Sequence, residues 1–184
     1  LREEMQLELR WLQRQLGITF ILVTHDQEEA LTLSDRVAVM ANGQVIQVDT
    51  PAGLYDRPTN RAVAAFVGTM NFFDATVQGQ GDWRVAEIEG LGRHHLNGQA
   101  VQLRDGDRIV IAIRPENLAL SRAEHGPVLA GVPGRVEARQ YLGGRQILHV
   151  ALDGRTAPVA VATAAHPGAD PWEGSEGKPV WLTW

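Results

Sequence analysis

His25 stands where a side chain meets a ligand. The apolar run Ile18, Thr19, Phe20, Ile21, Leu22, Val23 leads through Thr24 to this imidazole, and Asp26 then opens a helix. Imidazole can donate a hydrogen bond whether neutral or charged, which suits it to a phosphate oxygen. A histidine ending a strand often does no more than bond a nearby carbonyl, and the residue by itself does not separate the two roles. Its setting favours a ligand. With Thr19 as its one polar member, the 18–23 run has the pattern of a strand buried on both faces of a parallel sheet. Asp26 and Glu29 form a capping-box-like pair for a helix over 27–33. Ligands of open parallel sheets sit beyond the carboxyl ends of the strands, where this pattern puts His25.

The elements around that strand follow from spacing and punctuation. Leu1, Met5, Leu9, Leu12 and Leu16 make one apolar stripe of a helix over 1–16, with Glu3 and Glu4 at its positive end and Gly17 as its stop. The stripe reads as ordinary core packing. Asn42-Gly43 predicts a tight hairpin between strands 37–40 and 44–48. Thr50-Pro51 starts a short helix reaching Tyr55. Thr59 starts another, whose Val63, Phe66 and Val67 share a face and which Gly68 ends.

Val23-Thr24-His25-Asp26-Gln27-Glu28-Glu29-Ala30-Leu31 resembles the switch-histidine segment of ABC transporter ATPases, and Ser34 to Met40 continues as the family's next strand. Asp49-Thr50-Pro51, Leu54-Tyr55, Arg57-Pro58 and Ala64-Ala65-Phe66-Val67-Gly68 are similar to the end of the nucleotide-binding domain in importer ATPases with an accessory domain. The resemblance implies an α/β remnant of an ABC nucleotide-binding domain over 1–68, the carboxyl-terminal part of a longer ATPase. It also implies that His25 contacts the ATP γ-phosphate, with Gln27, Glu28 and Glu29 as helix-start residues that set its direction. No Gly-x-x-x-x-Gly-Lys-Ser/Thr cradle occurs, Gly177-Lys178 being followed by Pro179, and no apolar strand ends in the family's Asp-Glu pair. Leu142-Gly143-Gly144-Arg145-Gln146 mimics the family's signature, but it follows the histidine and lies between two strand-like runs, so it reads as a hairpin turn. ATP and Mg2+ are expected on the intact protein and not on this chain alone, which should be inactive.

From Thr69 onward the texture is all-β: short runs broken by Gly, Pro, Asn and Asp. Strands are expected over 72–77, 83–89, 100–103, 108–113, 134–141, 146–152, 157–161 and 180–184, with 110–113 the most buried. Asn71-Phe72-Phe73, Ile113-Arg114-Pro115-Glu116-Asn117-Leu118 and Gly134-Arg135-Val136-Glu137 resemble the transport-associated OB (TOBE) domain of importer ATPases. An OB-type barrel with paired lobes over 69–184 is the expectation. Residues 68–77, 139–143 and 180–184 are most similar to the spermidine/putrescine class, with sugar and ferric-iron importers sharing nearly the same plan. The partners this implies are a second copy of the subunit, transmembrane permease subunits and, indirectly, an extracytoplasmic solute-binding protein. The implied location is the cytoplasmic face of the membrane. A β module that binds a small regulatory ligand is the alternative.

Composition narrows the rest. Net charge is −5, made up of −3 over 1–68 and −2 over 69–184, which disfavours nucleic acid. With no cysteine, disulfides and thiolate metal sites are excluded. No apolar run approaches the ~18 residues of a membrane helix. In the β region, Arg114 and Glu116 flank a proline as an ion pair or turn clamp. His94 and His95 read as surface, Trp172, Trp181 and Trp184 as core or interface packing, and His125, His149 and His166 carry no motif. The 18–23 strand lacks neighbours in this chain to cover it, so residues 1–68 are expected to pair with a second copy or to be poorly ordered.

Overall fold

Turn chemistry sets the first hairpin. In a computed structural model that describes residues 2–79, 84–96, 103–122, 131–166, 168 and 170–184, Asn42 and Gly43 both take positive φ, 51° and 74°. That conformation matches the right-handed twist of two adjoining strands. They join β1 (Val37–Ala41) to β2 (Gln44–Asp49), with a register shift between Val39 and Met40. The chain divides into two compact units, Leu1–Thr69 and Met70–Trp184.

In the first unit, α1 (Arg2–Leu16) and α2 (Gln27–Leu33) precede the hairpin, and α3 (Pro51–Asp56) and α4 (Arg61–Phe66) follow it. Gly17 ends α1 at φ 63°, donating to the Gln13 carbonyl. Thr50 caps α3 by accepting from the Gly53 N–H. Asn60, not Thr59, caps α4, accepting from the Val63 N–H at 3.0 Å, while the Thr59 N–H donates to the Gln47 side chain at 2.8 Å. Gln47, buried, also donates to the Arg57 carbonyl and so staples the α3–α4 loop to β2. The core is Val39, Leu54, Val63 and Val67, flanked by Leu31, Val37, Ile46 and Tyr55.

Three expectations fail here. Residues 18–23 form no strand, and Ile21 and Val23 are 90% and 93% exposed. A strand exists through its lateral hydrogen bonds, and no described segment pairs with this one. The α1 stripe is not core: Met5, Leu9, Leu12 and Leu16 are exposed, while Leu1 lies outside the described residues. Phe66 turns away from Val63 and Val67 and is exposed.

The second unit is two antiparallel sheets around one core. Strands β3 (Asn71–Gln78), β4 (Val85–Ile88), β5 (Gly92–His95) and β6 (Arg108–Ile113) form a four-stranded sheet ordered β5-β4-β3-β6. A 3₁₀ turn (Pro115–Asn117) leads to β7 (Ala119–Arg122). Then β8 (Val132–Tyr141), β9 (Arg145–Leu152), β10 (Val159–Ala164) and β11 (Pro179–Thr183) complete a five-stranded sheet ordered β10-β9-β8-β11-β7. Its two edges, β10 and β7, curl into contact and the 3₁₀ turn packs on β10, an OB-like closure. Among the described residues the four-stranded sheet is not closed, so the second lobe is described as a sheet rather than a barrel. Phe73, Val136, Leu148, Val150, Val159, Val161 and Leu182 fill the shared core with no exposed surface.

The sequence pattern gives no sign of β5 and β7. The expected 157–161 strand lies later, at β10. Expected strand 100–103 and Trp83 fall largely outside the described residues. The 108–113 run is half-buried rather than fully buried: Ile109, Ile111 and Ile113 face the core, and Val110 is exposed.

Gly134 opens a tight crossing of β8 over β9, where a Cβ would lie 2.7 Å from Val150 Cγ1 and 2.9 Å from the Ala151 carbonyl oxygen. The backbone atom cannot yield as a side-chain tip does. Gly134→Ala is expected to lower stability by about 1–3 kcal/mol, the usual cost of overpacking, as read from urea unfolding.

Candidate functional site

His25 is exposed, immediately before the α2 cap. Asp26 accepts from the Glu28 and Glu29 N–H groups at 2.9 and 3.1 Å, holding the first turn of α2. The expected capping box is altered. The Glu29 carboxylate accepts from the Thr24 hydroxyl at 2.8 Å, and that hydroxyl accepts from the Asp26 N–H at 2.9 Å. Thr24 is thus inserted between the two members of the box. Farther back, Arg10 of α1 donates to the Thr32 carbonyl and lies 3.7 Å from the Asp35 carboxylate, fastening α1 to α2. The structure therefore brings Thr24, Asp26 and Glu29 together around the histidine backbone and leaves the ring open to solvent. Thr24 went unread in the sequence. Its signal is a hydroxyl two residues before a cap, with a carboxylate five residues on.

The β unit's candidates resolve as scaffold. Arg114 is buried at the start of the 3₁₀ turn, where its carbonyl accepts from the Asn117 N–H, and Glu116 is exposed. His94, on β5, sets its ring edgewise against Trp184 at 4.4 Å between centroids, and His95 faces solvent. Trp172 is core, Trp181 half-buried and Trp184 partly exposed. His149 is half-buried, His166 exposed, and His125 lies outside the described residues. Leu142 to Arg145 is a turn, closed by a bond from the Leu142 N–H to the Arg145 carbonyl.

Beneath that turn lies a buried polar cluster with no sequence motif. Gln146 has no exposed surface; its amide donates to Asp170 Oδ1 at 2.8 Å, and its oxygen accepts from Arg139 Nε at 2.5 Å. Arg139 also pairs with Asp170 Oδ2, and the Trp172 N–H donates to Asp170 Oδ1. Desolvation by burial pushes the Asp170 carboxyl up. The Trp172 N–H, the Gln146 amide and the Arg139 guanidinium together outweigh it and hold the pKa below the ordinary carboxylate value.

Among the described residues, no three or more His, Asp or Glu side chains are grouped to hold a metal ion, and no helix is long and apolar enough to cross a membrane.

Comparison with known proteins gives these arrangements a class. The TOBE domain model matches residues 111–184. The spermidine/putrescine import ATP-binding protein PotA of Hahella chejuensis is 41% identical over 188 aligned residues, covering 100% of this chain and 50% of that protein. The proteins of the same name from Haemophilus ducreyi and Thermobifida fusca are 40% and 38% identical, each over 100% of this chain and 50% and 47% of their own length. Among solved structures, the molybdate-binding protein ModG with molybdate bound aligns at 18% identity with a TM-score of 0.45, covering 61% of this chain and 87% of its own. The TOBE match, not that alignment, carries the fold class. The β unit is all-β and OB-like, and its residues 111–184 match the TOBE domain. The chain is similar over its whole length to spermidine/putrescine import ATP-binding proteins, and it spans about half the length of the curated relatives it matches.

Proposed function

We propose that this chain is part of the ATP-hydrolysing subunit of an ABC importer, with residues 1–68 completing a nucleotide-binding domain and residues 69–184 forming its TOBE domain. The carrying observation is similarity over 100% of the chain to import ATP-binding proteins. On this reading His25 donates a hydrogen bond to the ATP γ-phosphate. Phosphoryl transfer depends on positioning and charge stabilisation, which a fixed donor supplies. The exposed ring fits that role, since a phosphate can reach it without displacing a protein group. ATP supplies the phosphoryl group. On this reading the phosphate cradle and the Mg2+ ligands lie in other segments of the subunit. The subunit works as a dimer on the cytoplasmic face of a membrane, against permease subunits fed by an extracytoplasmic solute-binding protein. Similarity to spermidine/putrescine import proteins favours a polyamine as the solute.

The test is His25→Ala in the complete subunit assembled with its permeases. ATP turnover is expected to fall about 100-fold, the scale of one oriented donor, with ATP binding retained. Unchanged turnover removes His25 from the chemistry. Uptake of labelled spermidine by the wild-type assembly tests the solute, and transport of a sugar or ferric iron instead would refute the polyamine assignment.

A further inference from the structure

We propose that Thr24 is a positioning residue that aims His25 at the terminal phosphate, an inference that rests on the role given to His25 above. A hydroxyl has one proton to give, and an ionised carboxylate only accepts. The Thr24 proton therefore points to Glu29 Oε2, at 2.8 Å, and a lone pair meets the Asp26 N–H, at 2.9 Å. These two bonds straddle His25. They tie the residue before it to the backbone after it and to the first turn of α2, which Asp26 holds through the Glu28 and Glu29 N–H groups.

In an ordinary capping box the carboxylate reaches the cap N–H directly, and the residue preceding the cap stays outside the linkage. Here the inserted hydroxyl takes the linkage back past the histidine. The peptide plane that follows His25 is held through its Asp26 N–H while the ring remains exposed. Nothing in helix capping alone requires this longer route, because Asp26 already satisfies two N–H groups of the first turn. What the route adds is a fixed departure point for the imidazole. A catalytic donor displaced by about 1 Å can lose on the order of 100-fold in rate, so fixing the backbone under the ring is worth a measurable part of its effect.

Thr24→Val keeps the shape and removes the hydroxyl; Thr24→Ser keeps the hydroxyl. In the complete subunit, Thr24→Val is expected to lower kcat about tenfold with KM for ATP unchanged, and Thr24→Ser to restore it. The double variant Thr24→Val, His25→Ala should be no slower than His25→Ala alone. Independently of activity, amide exchange at Asp26 in this chain should speed up about tenfold in Thr24→Val and stay slow in Thr24→Ser, the scale of one lost hydrogen bond. Glu29→Gln, which keeps an acceptor oxygen, should stay near wild type in both readouts and guards against a misfolded valine variant. If His25→Ala collapses turnover while Thr24→Val leaves it untouched, Thr24 is only structural and the proposal fails. If His25→Ala itself is silent, the role of the histidine fails first and the positioning role goes with it.

Discussion

Asn71→Ala is expected to destabilise the β unit by about 3 kcal/mol, because it strands two buried backbone groups at about 1–3 kcal/mol each. The Asn71 carboxamide donates to the Ala160 carbonyl and accepts from the Ala160 N–H, both at 2.8 Å. β10 is an edge of the five-stranded sheet, so the outward N–H and carbonyl of Ala160 have no strand beside them. One planar side chain of the four-stranded sheet answers both, as a neighbouring peptide would. Arg155 reinforces the same seam. Its guanidinium lies 4.4 Å from the Phe73 ring centroid and donates to the Phe72 carbonyl. Thermal unfolding followed by tryptophan fluorescence should show the midpoint of Asn71→Ala lowered by about 10 °C. Asn71→Asp should fall at least as far, since its carboxylate would be buried facing the Ala160 carbonyl. A midpoint within a degree of wild type would show that Asn71 does not join the sheets.

Asp170→Ala should cost about 3 kcal/mol, since it leaves the Arg139 charge and the Gln146 amide without their shared acceptor. The figure sits at the low end for a buried pair because the Arg139 side chain retains 19% exposure and can take up water. The same cluster makes stability depend on acid. A carboxyl whose folded pKa lies below its unfolded value stabilises the fold above the unfolded pKa, and that stability drains away as pH falls through the folded value. The Asp170 contribution is therefore complete above the ordinary carboxylate value of 3.8 and drains away as pH falls below it. Urea midpoints measured from pH 6 down to pH 2.5 should converge for wild type and Asp170→Ala at the acid end. A gap that stays constant over that range would mean the carboxylate charge is not what holds Arg139 and Gln146.

The local signals in the sequence were the dependable ones. Asn42-Gly43, Thr50-Pro51 and Gly17 act within a few residues, and each produces the turn, cap or stop its chemistry dictates. Elements that depend on distant partners were not legible. The 18–23 run carries a buried-strand pattern, but a pattern specifies a face to be covered and not the neighbour that covers it. Phe66 fits the helical period of Val63 and Val67, yet which way the helix turns is decided by Leu54 and Val39 across the core. β5 is Gly-Arg-His-His, with no apolar alternation, and it exists because β4 offers it a ladder from Val85 to Ile88. At the candidate site, the proposal of His25 rests on its family-like neighbours. Thr24 was not legible, because a hydroxyl's role depends on which two partners lie within 3 Å of it.

The Asn71 bridge also fixes an order of events. Its two ends lie 89 residues apart in the chain. A polypeptide made amino end first at about 5–20 residues per second must wait about 4–18 s after Asn71 emerges before Ala160 exists to receive it. Through that interval β4 and β6 can already flank the leading strand, but its latch onto the second sheet stays open until the closing strand arrives.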